Sequence, residues 1–215
     1  ELVLPGCEPA RHQITSSNSF LLVAMLEAWG AEPVDLGIAA DAPEALAARL
    51  EAARGLDLLV TSGGASVGDH DLVRRVGDAA GLSLDFWKIR MRPGKPLIFG
   101  RLGQMPLIGL PGNPVSAAVC GIVFVRGAVH RMLGLDPTLP ERQARLAHPL
   151  DAGGERQEYL RGRLTAAGTV ETASRQDSSM LATLASSDVL VVRPPRAPAL
   201  PTGADVTVIM LSDVI

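Results

Sequence analysis

Strand-like and helix-like apolar patterns alternate through the first two-thirds of this 215-residue chain, and that alternation limits the folds open to it. Helix patterns span residues 17–29, 41–53, 72–80 and 114–133. Strand patterns span residues 34–38, 58–61, 84–89, 96–100 and 105–110. Strands separated by helices form mostly parallel sheets that are covered on both faces. The chain is therefore predicted to be an α/β protein, with a three-layer, mostly parallel sheet and helices on both faces.

The alternation ends in a Pro-containing linker at residues 137–140. Beyond it lie short β-branched segments separated by Gly, Pro and Ser, which are typical of a small all-β domain. They cover residues 145–149, 159–165, 169–173, 189–193 and 204–211, with a helical turn near residues 180–185. We predict an α/β domain over residues 1–138, with its first strand upstream, and a C-terminal β domain over residues 139–215. The chain begins with Glu1 rather than Met, so we expect it to continue a longer polypeptide.

Charge and apolar content exclude several classes of partner. A net charge of -3 and a pI near 5.8 argue against nucleic-acid binding, which normally requires an excess of Lys and Arg. The apolar run at residues 115–125 stops at Arg126, and we expect it to be too short to span a membrane. Cys7 and Cys120 match no metal-ligand spacing, so we expect free thiols and a cytoplasmic protein.

A glycine-rich loop follows the apolar run at residues 58–60 and reads Thr-Ser-Gly-Gly-Ala-Ser-Val-Gly-Asp-His-Asp over residues 61–71. Glycines let backbone N–H groups surround phosphate oxygens, and Asp69 and Asp71 follow where a metal could sit. The structural alternative is a polar turn between a strand and a helix.

Two further loops have the same character. Arg92 and Lys95 flank a Pro-Gly turn with Lys88 just upstream, so three cations are available to an anion. The third loop reads Leu-Pro-Gly-Asn-Pro-Val-Ser over residues 110–116 and opens a helix, whose N-terminus favours negative charge. The alternatives are a solvated basic turn and a strand-to-helix turn. Because ligands of open α/β sheets bind beyond the carboxyl ends of the strands, the three loops are candidates for the ligand site.

Together, the three loops resemble those of the molybdopterin molybdenumtransferases, the bacterial MoeA type and the E domain of gephyrin, in order and in spacing. The opening Glu-Leu-Val resembles the end of that family's Thr-Gly-Asp-Glu-Leu motif, and residues 37–41 resemble its Gly-Ile-x-x-Asp segment. The resemblance extends into the β domain, through Arg175, Gln176, Ser178, Ser179 and Met180.

The resemblance implies molybdenum insertion in molybdenum cofactor biosynthesis. Members of the family take adenylylated molybdopterin and molybdate, cleave the pyrophosphate bond, release AMP and leave molybdenum on the dithiolene. It also implies Mg²⁺ as the cofactor, a homodimer for the full-length protein and contact with the molybdopterin adenylyltransferase. Upstream domains complete the cleft in the family, so we expect this chain alone to turn over poorly.

Carried over position by position, the resemblance assigns Glu1, Asp41 and Asp71 to catalysis, with Asp41 and Asp71 as the Mg²⁺ ligands. The substrate-binding positions that it implies are Ser62, Gly63, Gly64, Ser66, Lys88, Arg92, Lys95, Pro111, Asn113, Pro114 and Ser116. The cations would hold the pterin phosphate or molybdate, and the small polar residues would donate hydrogen bonds.

The acidic assignments have structural rivals. Asp41, with Glu44 three residues later, fits a helix capping box, and Asp71 can cap the helix that follows it. The chain also departs from the family pattern. Ser16 stands where many members have an aspartate, and Arg92 stands where lysine is common, which keeps the charge but changes the hydrogen-bond geometry.

Two other functions stay open. A molybdopterin adenylyltransferase-like domain would share the fold, although a Pro-Gly-Asn-Pro loop followed by a β domain argues against it. A non-catalytic interaction scaffold is the other alternative, because gephyrin's E domain also clusters receptors.

Overall fold

The computed structural model describes residues 2–63 and 81–215. They fall into two compact units. The first comprises the described residues of Glu1–Lys88 together with Pro96–Gly112, and the second comprises Ile89–Lys95 together with Asn113–Ile215. Each unit is a group of residues that lie close together in space and need not be an independently folding domain. The predicted domain boundary at residue 138 therefore stays a prediction.

The described helices and strands follow one another in this order: β1 (Leu2–Val3), β2 (Ile14–Thr15), α1 (Asn18–Ala28), α2 (Pro43–Ala52), β3 (Leu59–Ser62), β4 (Leu82–Phe86), β5 (Met91–Arg92), β6 (Ile98–Leu102), β7 (Met105–Leu110), α3 (Pro114–Met132), β8 (Glu141–Arg145), β9 (Gln157–Leu164), β10 (Val170–Thr172), α4 (Leu181–Ala185), β11 (Val189–Arg193) and β12 (Asp205–Met210).

Strand pairing in the first unit is mixed. Its described strands form a sheet in the order β3-β7-β6-β4, in which β3 and β7 are parallel and the other two pairs are antiparallel. The α/β class is confirmed, but this sheet is not mostly parallel as predicted. The reason is a two-residue turn between β6 and β7, where Gly103 has a φ of 62°. Such a turn joins adjacent strands as a hairpin, whereas parallel strands need a longer crossover.

An apolar core lies between α2 and this sheet. Leu46, Leu50 and Ala53 follow the spacing of one helix face and pack against the strands. The strand residues of this core are Leu59, Leu82, Ile98, Leu102, Met105 and Leu107. Because the core holds β3 and β7 side by side, it fixes the positions from which the loops after these two strands begin.

Two local predictions in the first unit are wrong. Residues 34–38 are not a strand, because the Asp35 carboxylate accepts a hydrogen bond from the Gly37 N–H at 2.8 Å and turns the chain. Helix α2 begins at Pro43 with Ala42 as its N-cap, so Asp41 and Glu44 do not form the predicted capping box. Proline favours the first helical position and requires an extended residue before it, and Ala42 has φ -136° and ψ 138°.

The second unit contains a closed β-sheet. Its described strands run in the order β10-β9-β11-β12-β8, and β5 also pairs with β9. Leu146, directly after β8, bridges to Val170 in β10 and so joins the two ends of the sheet. Alternate residues fill the interior, among them Val189 and Val191 of β11. The predicted small β domain is confirmed as a fold.

The first strand of this sheet lies earlier than the predicted strand at residues 145–149. Strand β8 spans Glu141–Arg145, and its polar residues are mostly exposed. It is held by backbone pairing with β12 rather than by an apolar face, so apolar alternation could not reveal it.

Helix α3 confirms the predicted helix at residues 114–133 to within one residue and extends past the apolar run at residues 115–125. It spans 19 residues, and an 18-residue window within it has a mean hydropathy of 1.4, enough by length and composition to cross a membrane. Residues Gly121–Val125 within it are π-helical. However, 61% of the apolar window is buried within the protein, which is typical of a core helix. Cys120 of this helix is buried and Cys7 is exposed, and both thiols are free in the described structure, as predicted.

Candidate active site

The loops after β3 and β7 meet at the carboxyl ends of two neighbouring parallel strands. Asn18, the first residue of α1, joins them, because its Nδ2 donates to Ser62 Oγ at 2.7 Å and to the Gly112 carbonyl at 2.8 Å. Ser62 Oγ in turn donates to the Pro111 carbonyl at 3.3 Å. We call Asn18, Ser62, Pro111 and Gly112 the Asn18 clamp. It brings together two predicted substrate-binding residues, Ser62 and Pro111.

The backbones of the two loops lie close together at the clamp. The Gly63 N–H donates to the Leu110 carbonyl at 3.0 Å, and a Cβ on Gly112 would lie 3.5 Å from Gly63 Cα. Gly112 is exposed and Gly63 is half-buried. Since neither residue has a side chain, a ligand at this edge can approach the main chain directly.

Asn18 itself was not among the predicted site residues. Its Oδ1 is buried and has no hydrogen-bond partner within residues 2–63 and 81–215. Ser16, where the family pattern has an acidic residue, is two residues before Asn18 in the sequence and is 6% exposed. The signal for Asn18 was present in the sequence, because Ser17 and Asn18 directly follow Ser16, the position at which the chain departs from the family pattern.

Of the predicted acidic residues Glu1, Asp41 and Asp71, the structure describes only Asp41. Asp41 is exposed, and its carboxylate does not cap α2. Glu1, Gly64, Ser66 and Asp71 lie outside the described residues, as do Asp69 and His70. Among the residues that the structure describes, no three His, Cys, Asp or Glu side chains converge as a metal site. The catalytic and metal-ligand assignments therefore stay predictions.

The basic turn belongs to the second unit from Ile89 onward. Arg92 Nη1 lies 3.4 Å from Glu158 Oε1, and the Ile89 N–H donates to the Lys95 carbonyl at 3.1 Å, which closes the turn. Arg92 and Lys95 are exposed, as is Lys88 in the first unit. The Arg92 side chain is 52% exposed and that of Glu158 is 13% exposed, so the guanidinium stays accessible to an anion from solvent.

An open cavity of about 310 Å³ lies beside this turn, within the second unit. It is lined by Arg92, Arg175, Gln176, Asp177 and Met180. The pKa of the Asp177 carboxyl is lowered mainly by hydrogen bonds from Ser179. Two guanidinium groups at one cavity favour a planar or tetrahedral oxyanion. No role had been assigned to Arg175 from the sequence.

The N-terminus of α3 is held by Ser178, which lies in the loop between β10 and α4. Asn113 is the N-cap and Pro114 is the first helical residue. Asn113 Nδ2 donates to Ser178 Oγ at 2.9 Å, and the Val115 N–H donates to the Ser178 carbonyl at 3.2 Å. Asn113 is exposed at this point, whereas Ser116 is only 5% exposed inside the first turn.

Comparison with known proteins assigns the fold to a family. Residues 1–131 match the model described as probable molybdopterin binding domain, and residues 143–211 match the MoeA C-terminal region (domain IV). The chain belongs to the MoeA family. It corresponds to the C-terminal part of MoeA proteins, as the three loops had indicated.

Several MoeA relatives are similar over most of the chain. The molybdopterin molybdenumtransferase of Nostoc sp. is 32% identical over 211 residues, which are 93% of this chain and 48% of the relative. Molybdopterin molybdenumtransferase 2 of Mycobacterium tuberculosis is 36% identical over 199 residues, 89% of this chain and 49% of the relative. The chain therefore spans about half the length of the curated relatives it matches.

A solved structure agrees with the fold. The molybdopterin biosynthesis MoeA protein of Pyrococcus horikoshii superposes with a TM-score of 0.82 at 29% identity, covering 98% of this chain and 51% of the solved chain. The MoeA fold therefore accounts for the α/β unit and for the small β domain.

Proposed function

We propose that this chain carries the substrate-binding and molybdenum-inserting site of a molybdopterin molybdenumtransferase. The observation that carries the proposal is the Asn18 clamp, which holds two predicted substrate loops together at the carboxyl ends of β3 and β7. The relatives from Nostoc and M. tuberculosis are named for this activity. The substrates are adenylylated molybdopterin and molybdate. Water adds to a phosphorus of the pyrophosphate, the P–O bond to the bridging oxygen breaks, and AMP leaves. The two dithiolene sulfurs displace an oxygen of molybdate, which leaves as water with the two thiol protons, so molybdenum is left on the dithiolene without a change of oxidation state.

The described residues bind and orient the substrate in this proposal. In the first unit, the pterin nucleotide lies close to the main chain at Gly63 and Gly112, where no side chain intervenes. The Ser62 hydroxyl is a hydrogen-bonding group beside it. In the second unit, Arg92 and Lys95 are exposed cations that attract a phosphate or the molybdate oxyanion. The charge of a dianion is best held by fixed cations and hydrogen-bond donors, because these need no reorganisation during the reaction.

Mg²⁺ is the proposed cofactor, and the residues present suit it. Mg²⁺ keeps several waters and binds proteins through one or two carboxylates, so it does not require a cluster of three side chains. The Asp41 carboxylate is exposed and is not used as a helix cap, and with Asp71 it would hold the ion. An ion held by these carboxylates would supply positive charge to the pyrophosphate oxygens.

The proposal is tested by AMP release from adenylylated molybdopterin in the presence of Mg²⁺ and molybdate, measured by chromatography. Asp71→Asn and Asp41→Asn should each lower the rate by about a hundredfold, the size of effect seen when a charge-stabilising group is removed from an active site. Asp57→Asn is the matched control, because Asp57 is exposed and lies before the amino end of β3. AMP release that is unchanged in Asp71→Asn would refute the carboxylate assignment.

The same assay separates the alternatives. An adenylyltransferase-like domain would instead form adenylylated molybdopterin from ATP and molybdopterin, and a scaffold would do neither. The match of residues 143–211 to the MoeA C-terminal region supports the molybdenumtransferase. The expected slow turnover of this chain stays a prediction, and it is measured by running a full-length relative beside it.

We further propose that the full-length protein is a cytoplasmic homodimer. It would contact the molybdopterin adenylyltransferase, because that enzyme makes the adenylylated substrate. Light scattering of the full-length protein, alone and mixed with the adenylyltransferase, measures both associations. A monomer, or masses that simply add without a complex, would contradict them.

A further inference from the structure

One glutamine side chain in the second unit makes a full set of hydrogen bonds. Gln176 Oε1 accepts from the Arg161 N–H at 3.0 Å and from Arg161 Nε at 3.2 Å. Its Nε2 donates to the Arg161 carbonyl at 3.0 Å and to the Ala173 carbonyl at 2.9 Å. These four bonds use the whole capacity of the amide, and the opposite amide orientation would set an oxygen against two carbonyls.

The buried side chain of Arg161 constrains the conformation of residues 176–180. It is 1% exposed, and burial lowers its pKa. Its Nη1 donates to the Asp177 carbonyl at 2.8 Å and to the Met180 carbonyl at 3.3 Å. A buried guanidinium is very costly unless its donors are satisfied, and the acceptors of Nε and Nη1 all lie in the segment that Gln176 opens. The conformation of residues 176–180 is therefore tied to Arg161 through Gln176.

The same segment reaches the start of α3. Ser178 lies between the two carbonyls that Arg161 binds, and it accepts hydrogen bonds from the Asn113 side chain and from the Val115 N–H. The Val115 N–H is one of the donors that a helix N-terminus leaves without an internal partner. A shift of residues 176–180 would therefore release both the Asn113 amide and the first turn of α3.

We propose that Gln176 is a positioning residue for the substrate-binding segment at residues 113–116. It acts through Arg161 and Ser178, and it fixes the direction in which the Asn113 side chain points. The inference rests on the proposed function, in which Asn113 binds the substrate. Gln176 itself holds the loop and carries no chemical step.

The kinetic test uses Gln176→Met, which keeps the length of the side chain and removes all four hydrogen bonds. Its matched control is Gln143→Met, because Gln143 is an exposed glutamine on β8 that bonds Thr207 Oγ1. We expect the KM for adenylylated molybdopterin to rise about tenfold with a smaller change in kcat, because ground-state binding is what the loop controls. A purely structural role would lower the folded fraction and the apparent kcat, and it would leave KM unchanged.

Two further variants keep the test decisive if Gln176→Met does not fold. Gln176→Glu keeps an acceptor for Arg161 and opposes an oxygen to two carbonyls, so it should also raise KM. Ser178→Ala removes the acceptor of the Asn113 amide, and combined with Gln176→Met it should raise KM little beyond either change alone. Fully additive effects in the double variant would overturn the route through Ser178.

A second readout is independent of the substrate. In NMR spectra of the isotope-labelled chain, Gln176→Met should shift the Asn113 side-chain amide signals toward their positions in Ser178→Ala. It should also speed hydrogen exchange of the Val115 N–H, while Gln143→Met changes neither. If these signals stay as in Gln143→Met, the positioning role is refuted. If they change but the unaltered chain neither binds adenylylated molybdopterin nor releases AMP from it, the proposed function fails while the loop coupling stands.

Discussion

The two thiols of the chain differ in what surrounds them. Burial raises the pKa of the Cys120 thiol to about 12, and its Sγ lies 3.9 Å from the Gly94 carbonyl. Cys7 is exposed. Because the thiolate is the reactive form, we expect an aromatic disulfide reagent at about pH 8 to label Cys7 quickly and Cys120 only after unfolding. The absorbance of the released thiol counts the labelled sites, and rapid labelling of a Cys7→Ser variant would contradict the prediction.

Gly94 is constrained by the same contact. It is buried with a φ of 110°, and a Cβ there would collide with Cys120 Sγ and lie 2.8 Å from Met91 Cε. We expect Gly94→Ala to lower the free energy of unfolding by about 1–3 kcal/mol, from backbone strain and overpacking. Denaturant titration measures the loss. Gly154→Ala is the control, because a Cβ there meets nothing within 4 Å, and an equal loss in both variants would refute the explanation.

For individual residues, sequence motifs predicted which residues belong to the candidate site better than they predicted which charged residues are buried. Ser62 and Pro111 were predicted by motif, and the structure brings them together. Arg161 could not be predicted as a core residue, because a charged residue in a strand pattern normally faces water. Its hydrogen-bond partners lie in a loop 15 or more residues away, and local patterns carry no information about such a pairing.

Among the elements, α2 begins without a side-chain cap. Ala42 has the extended backbone of an N-cap residue, yet it has no side-chain acceptor for the free N–H groups of the first turn. We expect Ala42→Ser to raise the free energy of unfolding by about 0.5–2 kcal/mol, because a hydroxyl can accept one of those hydrogen bonds. Thermal or chemical denaturation measures the gain. Ala47→Ser, at an exposed position inside α2, should instead be neutral or slightly destabilising, and a similar gain there would contradict the capping argument.

The elements also show what controls a boundary. Strands β7 and β11 begin and end where apolar patterns predicted, because each is buried for most of its length. Strand β8 begins four residues before the predicted strand. Its side chains show no apolar alternation, because backbone pairing with β12 holds it in the sheet. The start of α2 was predicted two residues too early, since the restriction that Pro43 places on Ala42 outweighed the capping box.

For the molecule as a whole, acid stability should depend on two carboxylates in the second unit. The pKa of Asp136 is lowered mainly by the Thr138 hydroxyl, and that of Asp177 mainly by the Ser179 N–H, below the ordinary value of 3.8. A carboxyl whose pKa is lower in the folded state stabilises the protein above its unfolded pKa and loses that contribution as pH falls through the folded pKa. Stability should therefore decrease as pH falls below about 4.

The variant Asp136→Asn/Asp177→Asn tests this dependence. It should lose stability less steeply than the unaltered protein over the acid range, because neither amide takes up a proton there. Denaturant titrations at a series of pH values give the two slopes. Equal slopes would show that other groups dominate the acid response.

The bridge from Leu146 to Val170 also limits how the second unit can associate with other chains. The outer strand of an open sheet exposes unpaired N–H and C=O groups, to which a strand of another chain can add. Here the Ala147 N–H donates to the Val170 carbonyl at 2.8 Å, so one of the free carbonyls of the outer strand β10 is occupied by the segment that follows β8. At that point of the seam a foreign β-strand cannot add, so this stretch of the second unit is closed to the edge-to-edge growth that begins fibrils.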